Sequence, residues 1–266
     1  MFWIIFYSVI FLFGLIVGSF LNCVIYRLET GGSFLKGRSF CPHCKHQLSW
    51  PDLIPLISFL ILKGRCRYCS QKISWQYPLV EISTATLFLI PVINRSPTSI
   101  NWPDLFIYWI VACFLIIIFV YDLKHYIIPD KIIYPAILVP CIWYFVSGIF
   151  FHLYTKYDIL NTIYSAVGAA IFFLLIVLIS NEKWMGFGDV KLAFLMGLFL
   201  GWPNILVALF LAFFIGAIIG IGLIATGKKT LKSEVPFGPF LVAGTFISLF
   251  WGQNIINWYL NLIFNF

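Results

Sequence analysis

Three stretches of this chain, Leu105 to Tyr121, Ile159 to Ser180 and Asn204 to Thr226, each approach or exceed about 18 residues without a single Asp, Glu, Lys or Arg. A helix of that length matches the hydrocarbon thickness of a bilayer, and in lipid every backbone N–H and C=O must be satisfied within the segment. The runs are therefore read as membrane-crossing helices. Composition agrees: hydrophobic residues make up 62% of the 266 and charged residues 10%, too little polar surface to cover a soluble domain of this size. The fold class expected is an all-α polytopic membrane protein.

Turn residues and charges divide the chain into about eight spans, at Phe2–Ile25, Trp75–Ile93, Asp104–Tyr121, Ile132–Phe151, Ile159–Ser180, Val190–Trp202, Asn204–Thr226 and Phe237–Leu260. The sixth is short for a crossing. It is kept because it leaves nearly all basic residues on one side. Arg27 to Lys72, Lys124, Lys131, Lys183, Lys191 and Lys228 to Lys232 then face the cytoplasm, with Arg95 and Lys156 outside. The first apolar run has no basic residue before it and Arg27 after it, the reverse of a cleavable signal, so it reads as an uncleaved span. The net charge of +7 is concentrated in loops, eight of the 17 basic residues lying between Arg27 and Lys72. Without an arginine–aromatic pattern or reader module, this suits anionic lipid head groups, and no nucleic-acid partner is expected.

One segment breaks the apolar pattern. The expected organisation is a first span at 1–25, a small cytoplasmic insert at 26–77 and a bundle at 78–266. Within the insert, Leu53 to Leu62 is apolar but too short to span, so it packs beneath the loop or lies on the membrane surface. The insert carries an internal repeat, CPHCKHQLSW at 41–50 and CRYCSQKISW at 66–75. Two such knuckles bring the thiolates of Cys41, Cys44, Cys66 and Cys69 to one tetrahedral zinc ion, a closed and hence structural site. A redox pair is the weaker alternative, and disulfides do not suit a cytoplasmic loop. His43 and His46 are expected to face solvent. Cys23, Cys113 and Cys141, in apolar runs, are expected to be buried as small hydrophobes.

Of ten acidic residues, few lie near membrane depth, where an ionisable group is costly and usually functional. Asp122 ends the run FVYD, where a helix dipole disfavours an anion, so capping does not explain it. Asp189 ends GFGD, whose glycines at 186 and 188 permit unusual torsions and close helix approach. The pair fits a peptidase dyad sharing one proton, an ion or proton site, or two structural carboxylates. Asp130, after Pro129, is expected to cap the fourth span. Glu81 lies inside the second span, where a salt bridge or a substrate groove are equal readings; His125 and His152 read as interfacial residues.

The motifs GSFLNCVIYRL at 18–28, the two knuckles, YPLVEIST at 77–84, YDLKHYIIPD at 121–130, GFGDVKL at 186–192 and PFGPFLVAG at 236–244 occur in order along the chain. In these the chain resembles the type IV prepilin peptidases, bifunctional leader peptidases and N-methyltransferases of bacterial inner membranes. The resemblance implies cleavage of the basic leader of prepilins or pseudopilins after a glycine, at the cytoplasmic face. It also implies methylation of the new N-terminus from S-adenosylmethionine. It places the essential aspartates on Asp122 and Asp189 and the zinc cysteines on Cys41, Cys44, Cys66 and Cys69. No doubly wound cofactor fold is visible, so Gly18, Ser19, Asn22, Arg27 and Glu81 are the candidates for the methyl-donor site. The YD and GFGD pair is also similar to presenilin-type peptidases, from which the N-terminal insert separates this chain. Two further readings remain at this point, an ion transporter using the Asp pair and a cysteine peptidase. The second lacks a base and orienting group around any cysteine.

Overall fold

The computed structural model describes residues 2–33, 37–93, 100–148, 154–227, 230 and 235–264. Arg95, His152, Lys228, Lys229 and Lys232 lie outside them. Among the described residues the protein is helical, with no named strand. The helices are α1 (Phe2–Thr30), α2 (Ile57–Ile61), α3 (Gln76–Ile93), α4 (Trp102–His125), α5 (Asp130–Val146), α6 (Lys156–Ser180), α7 (Phe187–Leu200), α8 (Asn204–Ala225) and α9 (Gly238–Phe264). A 3-10 turn, Trp50–Leu53, precedes α2.

Each expected span is a helix over its described residues, the end of the fourth at 149–151 lying outside them, but the spans are not equivalent. Six of them, α1, α3, α4, α6, α8 and α9, are long and apolar enough to cross a membrane. Helix α5 has 17 residues with Pro135 and Pro140 inside it, and α7 has only 14. Eight full crossings are therefore not established. Helix α7 stops at Gly201, whose φ of +65° closes the helix end as alanine would not readily do.

The chain packs as two compact units, Met1–Ile117 and Ile118–Phe266. In the first, α1 and α3 pack closely because of the spacing GLIVG at 14–18. A Cβ on Gly14 would fall 2.5 Å from Ala85 Cα, and one on Gly18 would fall 2.7 Å from Glu81 Cα. Small residues four apart let two backbones approach where lipid supplies no hydrophobic drive. Residue 14 pairs with 85 and 18 with 81, so the two helices run antiparallel. In the same unit Trp109 of α4 stacks on Phe88 at 4.9 Å and donates its indole N–H to the Phe88 carbonyl.

In the second unit α7 is the central element, in contact with α5, α6, α8 and α9. Leu192, Ala193, Leu195 and Met196 are fully buried. A helix surrounded by protein need not be long enough to face lipid by itself, which accounts for a short segment apolar on every side. Gly197 lets it touch α6, a Cβ there falling 2.4 Å from Ala166 Cα. Gly244 likewise joins α9 to α8, at 2.4 Å from the Ala208 carbonyl oxygen.

The isolated cysteines depart from expectation. Cys23 and Cys113 are half-buried and Cys141 is exposed, because apolar side chains of a membrane bundle face outward as readily as inward. His125 pairs with the Tyr121 ring at 4.5 Å.

Candidate metal centre and carboxylate site

The repeat in the insert folds twice into the same turn. Cys41 N–H donates to the His46 carbonyl and Lys45 N–H to the Cys41 carbonyl; 25 residues on, Cys66 N–H donates to Gln71 and Ser70 N–H to Cys66. Lys45 and Ser70, at equivalent positions, are both left-handed, with φ of 59° and 57°. Antiparallel bridges Phe40↔Gln47 and Arg65↔Lys72 close each knuckle. Both Cys-x-x-Cys pairs thus present their thiols from one side of a turn.

The ligand atoms of Cys41, Cys44, Cys66 and Cys69 all lie within 4.8 Å of one another, with Cys41 Sγ and Cys69 Sγ 3.9 Å apart. A tetrahedral zinc with Zn–S of about 2.3 Å has edges of about 3.8 Å, so the four thiols fit such an ion. A backbone amide at Gln71 favours the Cys69 thiolate, but burial and the neighbouring thiols push Cys69 up to about 11. Four thiolates at this spacing need a cation to compensate them. Neither His43 nor His46 belongs to this cluster; His46 stacks on Tyr68 at 3.7 Å.

Asp52 stitches the knuckles together. Its carboxylate accepts from Ser49 N–H and Oγ, from Arg67 Nε at 2.8 Å and from Tyr68 Oη. Burial alone would raise its pKa, but hydrogen bonds from Ser49, Arg67 and Tyr68 outweigh that and hold Asp52 below the usual carboxylate range.

The candidate methyl-donor residues fall in two places. Gly18, Ser19, Asn22 and Glu81 line the contact of α1 with α3. Asn22, 1% exposed, donates to the Tyr77 carbonyl and accepts from Gln76 Nε2. Glu81 accepts from Leu56 N–H at 2.9 Å and from the Ser19 hydroxyl, and among the described residues from no basic residue of the insert. Arg27 lies at the end of α1, where its guanidinium donates to the carbonyls of Ser33 and Gly37.

The carboxylates belong to the second unit. Asp122 is 4% exposed and lies in the last turn of α4, which continues to His125. The helix then ends on Tyr126, left-handed at φ 59°, whose N–H returns to the Asp122 carbonyl. Asp189 is 9% exposed and lies inside the first turn of α7, with Gly186 as the N-cap residue. Ile128 joins their surroundings: Cβ atoms on Gly188 and Gly238 would fall 3.0 Å and 3.5 Å from its side chain.

Two expectations need correction. Neither Gly186 (φ −88°) nor Gly188 has a torsion reserved for glycine; Gly188 supplies space for Ile128, a loop residue rather than a helix. Asp130 is not a cap. Pro129 occupies that position, and Asp130 pairs with Lys191 of α7, whose ammonium also lies 4.9 Å from the Tyr134 ring centroid. With Lys191 on a neighbouring helix, an ion pair outcompetes a local cap.

Sequence reasoning gave no role to Gly238. Its N–H donates to Asp122 Oδ2 at 3.1 Å, and a Cβ there would fall 2.6 Å from the same oxygen. The signal was the Gly-Pro step opening α9, since proline favours the first helical turn.

These features define a multi-pass helical membrane protein with a four-cysteine cluster that could hold a metal ion and two buried aspartates in one bundle. Residues 12–95 match the Bacterial Peptidase A24 N-terminal domain, and residues 109–221 match the Type IV leader peptidase family. A prepilin leader peptidase/N-methyltransferase of Aeromonas salmonicida (strain A449) is 33% identical, covering 97% of this chain and 95% of its own. Relatives of the same name from Legionella pneumophila (32%, 96% and 94%) and Bacillus subtilis (strain 168) (31%, 96% and 98%) align over similar lengths. No solved structure matches the chain. The chain belongs to the type IV leader peptidase family, a family of peptidases whose relatives here also carry the N-methyltransferase name.

Proposed function

We propose that this protein cleaves the basic leader of type IV prepilins or pseudopilins after a glycine, at the cytoplasmic face of the bacterial inner membrane. Asp122 and Asp189 are the catalytic pair. The observation that carries this reading is the burial of two aspartates from separate helices of one unit, with Gly238 N–H fixing one of them. Two carboxylates in so poorly solvated a site hold one proton between them. The ionised member takes a proton from the attacking water while the protonated member hydrogen-bonds the scissile carbonyl.

The second activity is methylation of the new N-terminus from S-adenosylmethionine. The first two spans and the insert at 26–77 serve it, with Gly18, Ser19, Asn22, Arg27 and Glu81 as the candidate binding set, and the remainder of the bundle at 78–266 serves cleavage. Cys41, Cys44, Cys66 and Cys69 hold a structural zinc ion, which fastens the knuckles and leaves no open position for chemistry. The polar ends of the spans meet membrane lipids.

The test is to incubate the purified full-length enzyme with a prepilin and a labelled methyl donor, then read product masses. Asp122→Asn and Asp189→Asn, each singly, should abolish cleavage while still methylating a pilin supplied without its leader. Cleavage surviving either substitution would refute the assignment. Elemental analysis should find about one zinc per chain, and a metal-free protein with two disulfides would overturn the knuckle reading.

A further inference from the structure

The insert contains a surface that neither cleavage nor metal binding explains. The 3-10 turn and α2 bury none of their residues. Trp50 is 77% exposed, Leu60 71% and Ile61 70%, with Leu53, Ile57 and Trp75 also exposed. We propose that the segment Trp50–Leu62 is a membrane-interface anchor, seated among lipid head groups and the first acyl carbons beside the end of α3.

The occupant follows from where this segment is fastened. Leu56 N–H donates to the carboxylate of Glu81, and Glu81 belongs to α3. Glu81 lies five residues beyond the first residue of α3, about 7.5 Å along the axis at 1.5 Å per residue. The sequence turns polar at Asn94 and Arg95, so the apolar stretch of α3 available for crossing is the 18 residues to Ile93, about 27 Å and slightly less than a hydrocarbon core. A segment held to Glu81 is therefore held at bilayer depth. The ring of Phe59 adds a second fastening, 5.1 Å from Trp75 at the foot of α3.

Leu79 and Ile82 of α3 are exposed apolar residues as well. Indole rings favour the head-group level, where Trp50 and Trp75 would sit. Lys63, Arg65 and Lys72 follow the apolar stretch and suit anionic head groups. On this basis Glu81 sets the depth of the insert in the membrane. The inference rests only on α1 and α3 crossing the bilayer and is independent of the peptidase assignment.

The experiment uses the full-length chain in vesicles of phosphatidylethanolamine and phosphatidylglycerol, with a benzophenone side chain placed singly at Ile61, Leu79 or His43. Adduct masses are read on chains that keep wild-type melting. Ile61 should give phospholipid adducts within about threefold of Leu79 and about tenfold above His43, an exposed knuckle position. Two results would overturn the proposal. One is Ile61 joining two copies of the chain or another protein. The other is an Ile61 without lipid adducts while Leu79 forms them.

Discussion

Replacing Gly238 by alanine tests the carboxylate site without removing a carboxylate. The new Cβ would fall 2.6 Å from Asp122 Oδ2 and 3.2 Å from Cγ, where ordinary contact begins near 3.4 Å. The carboxylate must retreat by roughly 0.8 Å, stretching or breaking its 3.1 Å bond from the Gly238 amide. A hydrogen bond to a charged group contributes about 1.5–3 kcal/mol, which converts to a fall of about 10- to 150-fold in cleavage. A misplacement near 1 Å at a reacting group costs about 100-fold by a separate route, so the two figures agree. The backbone torsion of Gly238 is one that alanine adopts, so the helix itself is not strained. The assay is kcat/KM for prepilin cleavage, with methylation of a leaderless pilin as the control for folding. Gly238→Ala cleaving within about threefold of wild type would refute the view that this amide positions Asp122.

Asp130→Asn removes a pair whose carboxylate is 62% exposed, so it should cost about 0.5–1 kcal/mol at most and leave cleavage within about threefold of wild type; an inactive variant would show that Asp130 does more than hold Lys191. Asp52→Asn should loosen the insert by about 1–3 kcal/mol, read as faster hydrogen exchange at residues 49–53 and 66–69. The depressed pKa of Asp52 means that its contribution is present above the usual carboxylate range and lost as pH falls through the folded value. Wild type and variant should therefore differ at neutral pH and converge only below about 4, and a difference that vanished at pH 7 would contradict this. Gly197→Ala, aimed at backbone 2.4 Å away, should force α6 from α7 and lower melting together with cleavage; unchanged melting would show that the helices can separate freely.

The apolar runs specified the helices on their own. Once placed in lipid, an uncharged stretch such as Asn204 to Thr226 has no other way to satisfy its backbone. The knuckles were equally legible, because the repeated Cys-x-x-Cys turn is local: Lys45 and Ser70 take the same left-handed step 25 residues apart. Local chemistry did not determine which groups meet across helices. Asp130 was read as a cap, since sequence shows only its neighbours, and Lys191 reaches it from 61 residues away. The same holds for Gly238 and Asp122, separated by 116 residues, and for Glu81, whose partner is an amide in a loop rather than a basic side chain. Residue types set which segments enter the membrane and which turns bring thiols together. Only packing decides which backbone amide faces which carboxylate, because that depends on distances that no local pattern encodes.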